Sequence, residues 1–385
     1  MFRRFYLLFV LTLCVTTLCG AAPAKVGKTE VHPAFWWAGM KNTTLQVLIY
    51  SDLVKDCEAV LSGAEGVVID HAVRLKNQNY LILYLNTNGA QPQKFSIKLY
   101  KGKKLYKEIP YELKQRSSRP VNSFDAGDVV YLLMPDRSAT GTTDEQKKQM
   151  YKGMKQDTWS SADMARHGGD LAGMTKHLDY LQDLGVTAVW HTPTLENDMP
   201  EQSYHGYAIT DYFQVDRRYG TNEEFRRMVN KAHEKGLKVV MDMIFNHCGS
   251  HNFLFSDKPS KDWFNFKSEY VGTSYKTASV QDVHASDYEY KIAVDGWFTQ
   301  AMPDLNQRNR TLPYPKQYLV DRICRHQRYP PGHPPVCRLR FYVTLVQGSE
   351  RRISKLQHCR RNLAEQQRIG IFLAEGQQTR RSSQL

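Results

Sequence analysis

The sequence has few cysteines, and their spacing matches neither a metal site nor a disulfide framework. The seven cysteines are Cys14, Cys19, Cys57, Cys248, Cys324, Cys337 and Cys359. Zinc ligands come in closely spaced pairs, and small disulfide-rich folds have a high cysteine density. Because neither pattern is present, the sequence predicts no zinc site and no disulfide-stapled fold.

Long hydrophobic runs are also missing after the N-terminal segment. Residues 7–18 are apolar, but they are too few to cross a bilayer comfortably. Two arginines precede this run, and small residues follow it at Ala22–Ala24. This pattern predicts a signal peptide over residues 1–24, and export to a bacterial periplasm is the simplest interpretation. A lipoprotein anchored at Cys19 is the disfavoured alternative, because the residue before it does not fit a lipobox.

A charge excess of one sign is absent from most of the chain. The net charge is +13, but residues 311–385 contain 14 Lys and Arg against 4 Asp and Glu. Residues 1–310 contain 38 basic and 35 acidic residues. The body of the chain therefore does not have the basic surface that nucleic-acid binding requires. A basic nucleic-acid-binding tail is the one alternative of this class.

Residues 25–114 have the pattern of a small all-β domain. The short β-rich runs are Leu45–Tyr50, Val67–Ile69, Tyr80–Leu85, Phe95–Leu99 and Leu105–Leu113. Turn-forming residues separate them, and Lys101-Gly102 is typical of a hairpin turn. The length predicts an immunoglobulin-like sandwich. The aromatic residues Phe35-Trp36-Trp37 either stack on sugars or pack in a core, and the second interpretation is favoured.

The pattern changes after a polar, turn-rich segment at residues 115–127, which we interpret as a linker. Strands and helices then alternate. The predicted strands are Val129–Met134, Val186–Trp190 and Leu237–Phe245. The first is continuously apolar, as is typical of a parallel strand covered on both faces. Strand-helix-strand-helix-strand order predicts the first part of a β/α barrel.

Two helices are predicted between these strands. Apolar residues recur at three- and four-residue spacing from Leu171 to Leu184, which predicts one amphipathic helix that Gly185 ends. A second helix is predicted over Asn222–Lys235, with Gly236 closing it. Its predicted buried side chains are Phe225, Met228, Val229 and Ala232. Residues 248–302 show no such periodicity.

Polar and aromatic residues follow the predicted strands where a barrel would place its chemistry. Tyr204–Tyr212 reads YHGYAITDY, and Met241–His247 reads MDMIFNH. The second stretch ends an apolar run with an acid, an amide and an imidazole. Side chains at the carboxyl ends of parallel strands meet at one edge of the sheet. The two stretches therefore predict a ligand site there.

With these stretches, the chain resembles the alpha-amylase family of glycoside hydrolases, and within it the neopullulanase and cyclomaltodextrinase branch. The other matching stretches are DVVYLLMPDR at 128–137, RHGGDLAGM at 166–174, LENDMP at 195–200 and MPDLN at 302–306. The resemblance covers about Val31 to Asn309. It implies a multidomain chain with the N-terminal sandwich followed by an incomplete α/β (TIM) barrel over residues 128–310. The family's domain B would occupy residues 248–302.

The resemblance also implies a function and roles for individual residues. The family hydrolyses α-1,4-glucans such as starch, pullulan and cyclodextrin fragments by a retaining double displacement, which needs two carboxylates. By resemblance Tyr207, His247 and His205 contact sugar, whereas Asp242 and Asp211 are positioning carboxylates. Intact relatives are often homodimers. The alternative is that the chain is a noncatalytic carbohydrate-binding protein. Neither interpretation predicts a nucleic-acid partner or a membrane-spanning segment.

The resemblance further suggests calcium as the cofactor. Asn246 matches an asparagine that binds calcium in many amylases. Family members often also hold a metal in a loop after the first strand, with a sequence like F-A-N-G-D. Here that loop is Ser138–Thr142, which offers fewer hard oxygen ligands. A metal is therefore not expected at the second position.

The resemblance stops near Arg310, and residues 311–385 contain neither the G-x-R-x-D motif of the nucleophile nor the G-E-x-W motif of the acid/base. We interpret this tail as an out-of-frame translation. In the adjacent frame, the nucleophile codon would straddle Gly332–His333 and the acid/base codon would straddle Arg361–Asn362. Without these two carboxylates, no hydrolysis is expected from this chain. The interpretation is wrong if the DNA does not encode those residues in that frame.

Overall fold

The computed structural model describes residues 26–115, 126–154, 164–276, 279 and 282–309. The predicted signal peptide, most of the predicted linker and the predicted out-of-frame tail lie outside the described residues. A search of the described helices finds none with the length and apolar character needed to cross a membrane.

The N-terminal domain is a β-sandwich, as predicted. Its strands are β1 (Glu30–His32), β2 (Trp36–Trp37), β3 (Thr44–Tyr50), β4 (Glu58–Ser62), β5 (Val68–Arg74), β6 (Tyr80–Asn86), β7 (Gln93–Lys101) and β8 (Lys104–Lys114). One sheet has the order β1-β3-β6-β5 and the other has β2-β8-β7-β4. Alternate side chains such as Val47, Leu83 and Ile97 are fully buried between the sheets, which is the period-two burial of a sandwich core.

Two details of the sandwich bear on the sequence interpretation. Lys101 pairs with Lys104 across the β7–β8 hairpin, and Gly102 there has a φ of 56°, so the predicted turn is confirmed. Trp36 is buried in the sandwich core. Phe35 instead lies under the Lys114 ammonium, 3.5 Å from Nζ to the ring centroid. The aromatic run therefore serves mainly in packing.

The second part of the chain contains a three-stranded parallel sheet. Its strands are β9 (Val130–Leu133), β10 (Ala188–His191) and β13 (Lys238–Met241), in the order β13-β10-β9. A separate antiparallel pair consists of β11 (Leu195–Glu196) and β12 (Asp211–Val215). The helices in this region are α1 (Asp144–Tyr151), α2 (Leu171–Lys176), α3 (Leu178–Asp183) and α4 (Asn222–Glu234). Apolar side chains of α3, α4 and the sheet pack together in one core.

Helix α4 matches its prediction closely. Thr221 and Glu224 form a reciprocal capping box at its start, and Gly236 follows its end with a φ of 74°. Met228 and Ala232 are buried. These local signals are sufficient to place both ends of the helix.

The predicted single helix over Leu171–Leu184 is wrong, because the structure has two short helices that meet at His177. The backbone of His177 has φ −103° and ψ 11°, and its imidazole Nδ1 donates to the Gly173 carbonyl at 2.8 Å. That carbonyl would otherwise accept the His177 amide in a continuous helix. Leu184 lies beyond α3 and is 55% exposed, whereas the preceding periodic leucines are buried.

The strand predictions need two corrections. Strand β9 is not covered on both faces: Tyr131 is 40% and Leu132 is 56% exposed. Within the described residues β9 is an edge strand that pairs only with β10. The third strand ends at Met241 instead of Phe245, because the chain leaves the ladder to form the loop that carries Asn246 and His247.

The described part of residues 248–309 is mostly irregular, with helices α5 (Phe253–Ser256) and α6 (Asp287–Asp295) and short 3-10 turns. This segment packs against the sandwich. The Asp257 carboxylate accepts hydrogen bonds from Tyr50 Oη at 3.0 Å, Asn77 Nδ2 at 2.6 Å and Asn79 Nδ2 at 2.9 Å. Tyr50 also stacks on Phe253. These contacts fix the segment to the face of the sandwich.

Candidate functional site

The carboxyl ends of two neighbouring parallel strands bring the first candidate residues together. In the register of β10 and β13, His191 lies opposite Met241. Asp242 follows directly and accepts a hydrogen bond from the Trp190 side chain. Burial raises the pKa of Asp242, although the bonds from Tyr207 and Trp190 act in the opposite direction. A half-buried carboxylate therefore stands at this edge of the sheet.

Tyr207 reaches this carboxylate from the loop between β11 and β12. Its Oη donates to Asp242 Oδ2 at 3.2 Å. Burial, followed by the charge of Asp242, raises the pKa of Tyr207 to about 12, so the phenol stays protonated and can donate. The preceding Gly206 has a φ of 82°, and a Cβ there would lie 2.1 Å from the Pro193 carbonyl oxygen. Only glycine therefore allows the turn that aims Tyr207 at Asp242.

His247 supports Tyr207 through the backbone carbonyl of that residue. Its Nε2 lies 3.2 Å from the Tyr207 carbonyl, and its own carbonyl accepts a hydrogen bond from Tyr212 Oη at 2.6 Å. Burial lowers the pKa of His247 to about 4, so the ring is neutral at pH 7. A neutral ring that donates from Nε2 leaves Nδ1 as an acceptor, and Asn246 Nδ2 lies 3.4 Å from it.

His205 completes the support of Tyr207. Its Nδ1 accepts the Tyr207 amide at 2.9 Å, and the two ring centroids are 5.7 Å apart. Tyr207 is therefore held through its amide, its carbonyl and its hydroxyl. All three predicted sugar-contacting residues and one of the two predicted positioning carboxylates thus form a single cluster. We call Tyr207, His205, His247 and Asp242 the tyrosine cluster.

Asp211 lies apart from the tyrosine cluster. It accepts the Phe213 amide at 2.7 Å and pairs with Glu196 across β11 and β12. Burial raises the pKa of Asp211, and the side chains of His32 and Glu30 in the sandwich also influence it. Burial together with Asp211 also raises the pKa of Glu196 to about 6. Asp211 therefore occupies the side of the loop that faces the N-terminal domain.

Asn246, the predicted metal ligand, contacts a buried carboxylate. Its Nδ2 donates to Asp304 Oδ2 at 2.6 Å, and Asn265 Nδ2 donates to Asp304 Oδ1 at 2.5 Å. Burial raises the pKa of Asp304 well above its usual range. Within the described ranges, no group of three or more His, Cys, Asp or Glu side chains could hold a metal ion.

Sequence reasoning missed a buried ion-pair network that holds the loop of the tyrosine cluster. Arg166 donates to Ser203 Oγ at 2.8 Å and to Asp216 Oδ2 at 3.0 Å. Arg218 donates to Asp216 Oδ1 at 2.9 Å. Burial alone would raise the pKa of Asp216, but the two guanidinium groups hold it well below its usual range. The network anchors Ser203, two residues before His205.

Trp190 and Asp304 were also missed. Trp190 lies in the predicted second strand, next to the strand that Asp242 follows, and this adjacency was the available signal. Asp304 lies in the matched MPDLN stretch, but no local pattern shows that it contacts Asn246 fifty-eight positions earlier. Only the tertiary fold brings these two residues together.

Comparisons with known proteins agree with this architecture. Residues 30–117 match the N-terminal domain of cyclomaltodextrinases, and residues 132–324 match the catalytic domain of alpha-amylases. Neopullulanase 2 of Thermoactinomyces vulgaris is 33% identical over 208 residues, which are 50% of this chain and 30% of that protein. The intracellular maltogenic amylase of Bacillus subtilis is 31% identical over 307 residues, 77% of this chain and 42% of that protein.

A solved structure is similar to part of the chain. The alpha-amylase of Geobacillus thermoleovorans, complexed with acarbose, is 31% identical, with a TM-score of 0.37. The match covers 50% of this chain and 36% of that one. The chain thus spans less than half the length of each of these relatives.

Proposed function

The chain belongs to the alpha-amylase family of glycoside hydrolases, and from that premise we propose that its tyrosine cluster binds α-1,4-glucans. The relatives named above are glycosidases by name. The substrates we propose are starch, pullulan or cyclodextrin fragments. The parallel sheet would be the first part of a TIM barrel, with residues 248–302 as domain B beside its mouth.

The observation that carries the proposal is the hydrogen bond from Tyr207 to Asp242 at the carboxyl end of β13. A fixed aromatic ring beside a carboxylate suits a sugar, because the ring can stack on the apolar face of a pyranose while the carboxylate accepts from its hydroxyls. Tyr207 is held at three points, so little side-chain entropy would be lost on binding.

We assign separate roles within the tyrosine cluster. Tyr207 stacks on the sugar, and His205 contacts its hydroxyl groups. Without sugar, His247 orients Tyr207 through the carbonyl of that residue, and it contacts a sugar hydroxyl by giving up this bond. Asp242 positions the phenol, and Asp211 supports the other side of the same loop next to the sandwich.

In the intact enzyme we propose a retaining double displacement. One carboxylate attacks the anomeric carbon while a second protonates the leaving oxygen, and water then releases the sugar. This chain would bind without turnover, since residues 311–385 contain neither carboxylate motif. We attribute the loss to a frameshift near Arg310. Resequencing the DNA tests this: an adjacent frame that does not encode G-x-R-x-D would refute it.

We also propose a calcium site at Asn246. Calcium takes oxygen ligands, and the Asp304 carboxylate lies between the amides of Asn246 and Asn265. A calcium ion would require each amide to turn by half a rotation, which presents Oδ1 to the ion and gives up both hydrogen bonds to Asp304. With one carboxylate the site would be weak, with a Kd on the order of 10⁻³ M. Millimolar calcium should raise the unfolding midpoint of the chain but not that of Asn246→Ala.

The glucan proposal is tested by titrating the purified full chain with maltoheptaose in a calorimeter. Tyr207→Ala should lose at least about 2 kcal/mol of binding free energy, because the stacking ring and its bond to Asp242 are both removed. Tyr180→Ala is the matched control, since Tyr180 is 62% exposed and lies on α3, which carries none of the cluster residues. Equal affinity of both variants would place the binding site elsewhere.

We further propose that the protein is exported to the periplasm and that the intact enzyme forms a homodimer. The first follows from the signal-peptide pattern, and the second follows only from the resemblance to intact relatives. Cell fractionation tests the first and analytical ultracentrifugation of the frame-corrected protein tests the second.

A further inference from the structure

A single buried carboxylate organises the loop that follows β9. Asp170 is fully buried and caps the N-terminus of α2. Its Oδ1 accepts the amides of Gly141 at 2.9 Å and Gly173 at 2.7 Å. Its Oδ2 accepts the Thr142 hydroxyl at 2.6 Å, the Thr142 amide at 3.2 Å and the Thr140 hydroxyl at 3.0 Å.

These five donors occupy the lone-pair directions that the carboxylate would need to bind a metal ion. An ionised carboxylate offers about four lone-pair directions, and each oxygen of Asp170 already faces at least two donors. Three of the donors are backbone amides, which cannot be turned into ligands. Burial would raise the pKa of Asp170, but the bonds from Thr142, Gly173, Gly141 and Thr140 together lower it. The charge is thus stabilised without a cation.

Two lysine side chains donate hydrogen bonds to backbone carbonyls near Asp170. Lys176 Nζ donates to the Gly141 carbonyl at 3.2 Å, and Lys147 Nζ donates to the Gly168 carbonyl at 2.7 Å. Backbone carbonyls are the other ligands that calcium prefers. Here two of them already bind ammonium groups, whose charge would repel an incoming cation.

The backbone around Asp170 is closely packed. A Cβ at Gly173 would lie 1.8 Å from the Ala139 carbonyl oxygen, and a Cβ at Gly141 would lie 2.4 Å from the Gly173 nitrogen. A Cβ at Gly169 would lie 2.2 Å from the Pro135 carbonyl oxygen. The loop therefore packs directly on the start of α2, with backbone against backbone.

We infer that the loop Ser138–Thr142, which holds a metal in many members of the family, is closed in this chain by its own hydrogen bonds and takes no metal ion. The threonine hydroxyls and the backbone amides donate to the Asp170 carboxylate. The two lysines donate to the backbone carbonyls beside it. The inference concerns the start of the barrel and does not depend on glucan binding. It is also separate from the calcium site proposed at Asn246.

The test is hydrogen exchange of the full chain, read at the amides of Gly141, Thr142 and Gly173. Their exchange rates should stay within about twofold between millimolar calcium and a chelator, because no metal bond is gained or lost. Asp170→Asn should speed their exchange by about tenfold or more, since a hydrogen bond to a charged acceptor is lost. Calcium bound at Asn246 would alter exchange around residues 246 and 304 only.

Two further variants keep the test decisive if Asp170→Asn does not fold. Thr142→Val removes the shortest hydroxyl donor and should speed exchange at the same three amides. Thr175→Val is the matched control, because its hydroxyl bonds to the Leu171 carbonyl instead of Asp170. Calcium-dependent protection at the three amides would overturn the inference. So would unchanged exchange in both Asp170→Asn and Thr142→Val.

Discussion

Acid should destabilise the folded chain through His247. Burial lowers the pKa of His247 from 6.5 to about 4. Between these values the unfolded chain binds a proton that the folded chain does not bind, so stability falls as the pH drops through this window. Each pH unit costs about 1.4 kcal/mol, so the full loss from this one ring is about 3 kcal/mol by pH 4. His191 is equally buried, with a pKa of about 4, and adds a second loss of the same sign.

His247→Gln isolates the contribution of one ring. The amide of glutamine can still donate to the Tyr207 carbonyl, but it does not titrate. In urea unfolding, the free energy of unfolding of the wild type minus that of the variant should therefore fall by about 3 kcal/mol between pH 7 and about pH 4. Carboxylates with raised pKa values, such as Glu196, act with the opposite sign, but they are common to both proteins.

The exposed His251 provides the control for this experiment. His251→Gln should leave the pH dependence of the free energy of unfolding as it is in the wild type. If His247→Gln also left it unchanged, the ring would not be buried and neutral in the folded chain. The support that His247 gives to Tyr207 would then need another explanation.

Three further changes test the packing around the site, each by urea unfolding. Asp216→Asn should cost about 3–5 kcal/mol, because it leaves two buried guanidinium groups without their carboxylate, and a cost below 1 kcal/mol would contradict the network. Asp257→Ala should cost about 2–4 kcal/mol through three lost side-chain hydrogen bonds, and exchange should rise in residues 253–263. Leu132→Ala should lower the free energy of unfolding by less than about 1 kcal/mol, because Leu132 is 56% exposed. Val189 is 3% exposed, so Val189→Ala should lower it by about 2 kcal/mol. Equal losses in the two variants would show that β9 is covered.

The parts of the fold that local signals specify could be predicted from the sequence. Helix α4 has a capping box at Thr221 and a glycine at 236, and both act within a few residues of the helix. The break at His177 could not be predicted in this way, because it depends on an imidazole turning back to the Gly173 carbonyl. The leucine spacing is the same for one helix or two.

The exposure of β9 shows a second limit. An apolar sequence such as that of Val130–Leu133 predicts that neighbours will cover both faces. Whether they do depends on strands elsewhere in the chain, and the described sheet has β9 at its edge. The hydrophobic pattern of a strand indicates which faces should be covered, but it does not show whether the rest of the chain covers them.

The site was predictable to a similar extent. Tyr207 and Asp242 meet because each stands at a position that a parallel sheet brings to one edge, and the order of the elements was sufficient to expect this. Asp211 faces the sandwich because His32 of the sandwich stacks on Phe213, two residues after Asp211. No pattern near Asp211 reports that contact. The same holds for Asp304, whose partner Asn246 lies in another part of the chain.

The most direct test of glucan binding without turnover is proton NMR of maltoheptaose mixed with the purified full chain. One set of spectra reports both events, because binding broadens the sugar resonances and cleavage adds new reducing-end signals. We predict broadening that Tyr207→Ala abolishes, with no new reducing-end signal over a long incubation. New reducing-end signals would show that the chain supplies its own catalytic carboxylates, and sharp, unshifted resonances would show that the tyrosine cluster does not bind α-glucans.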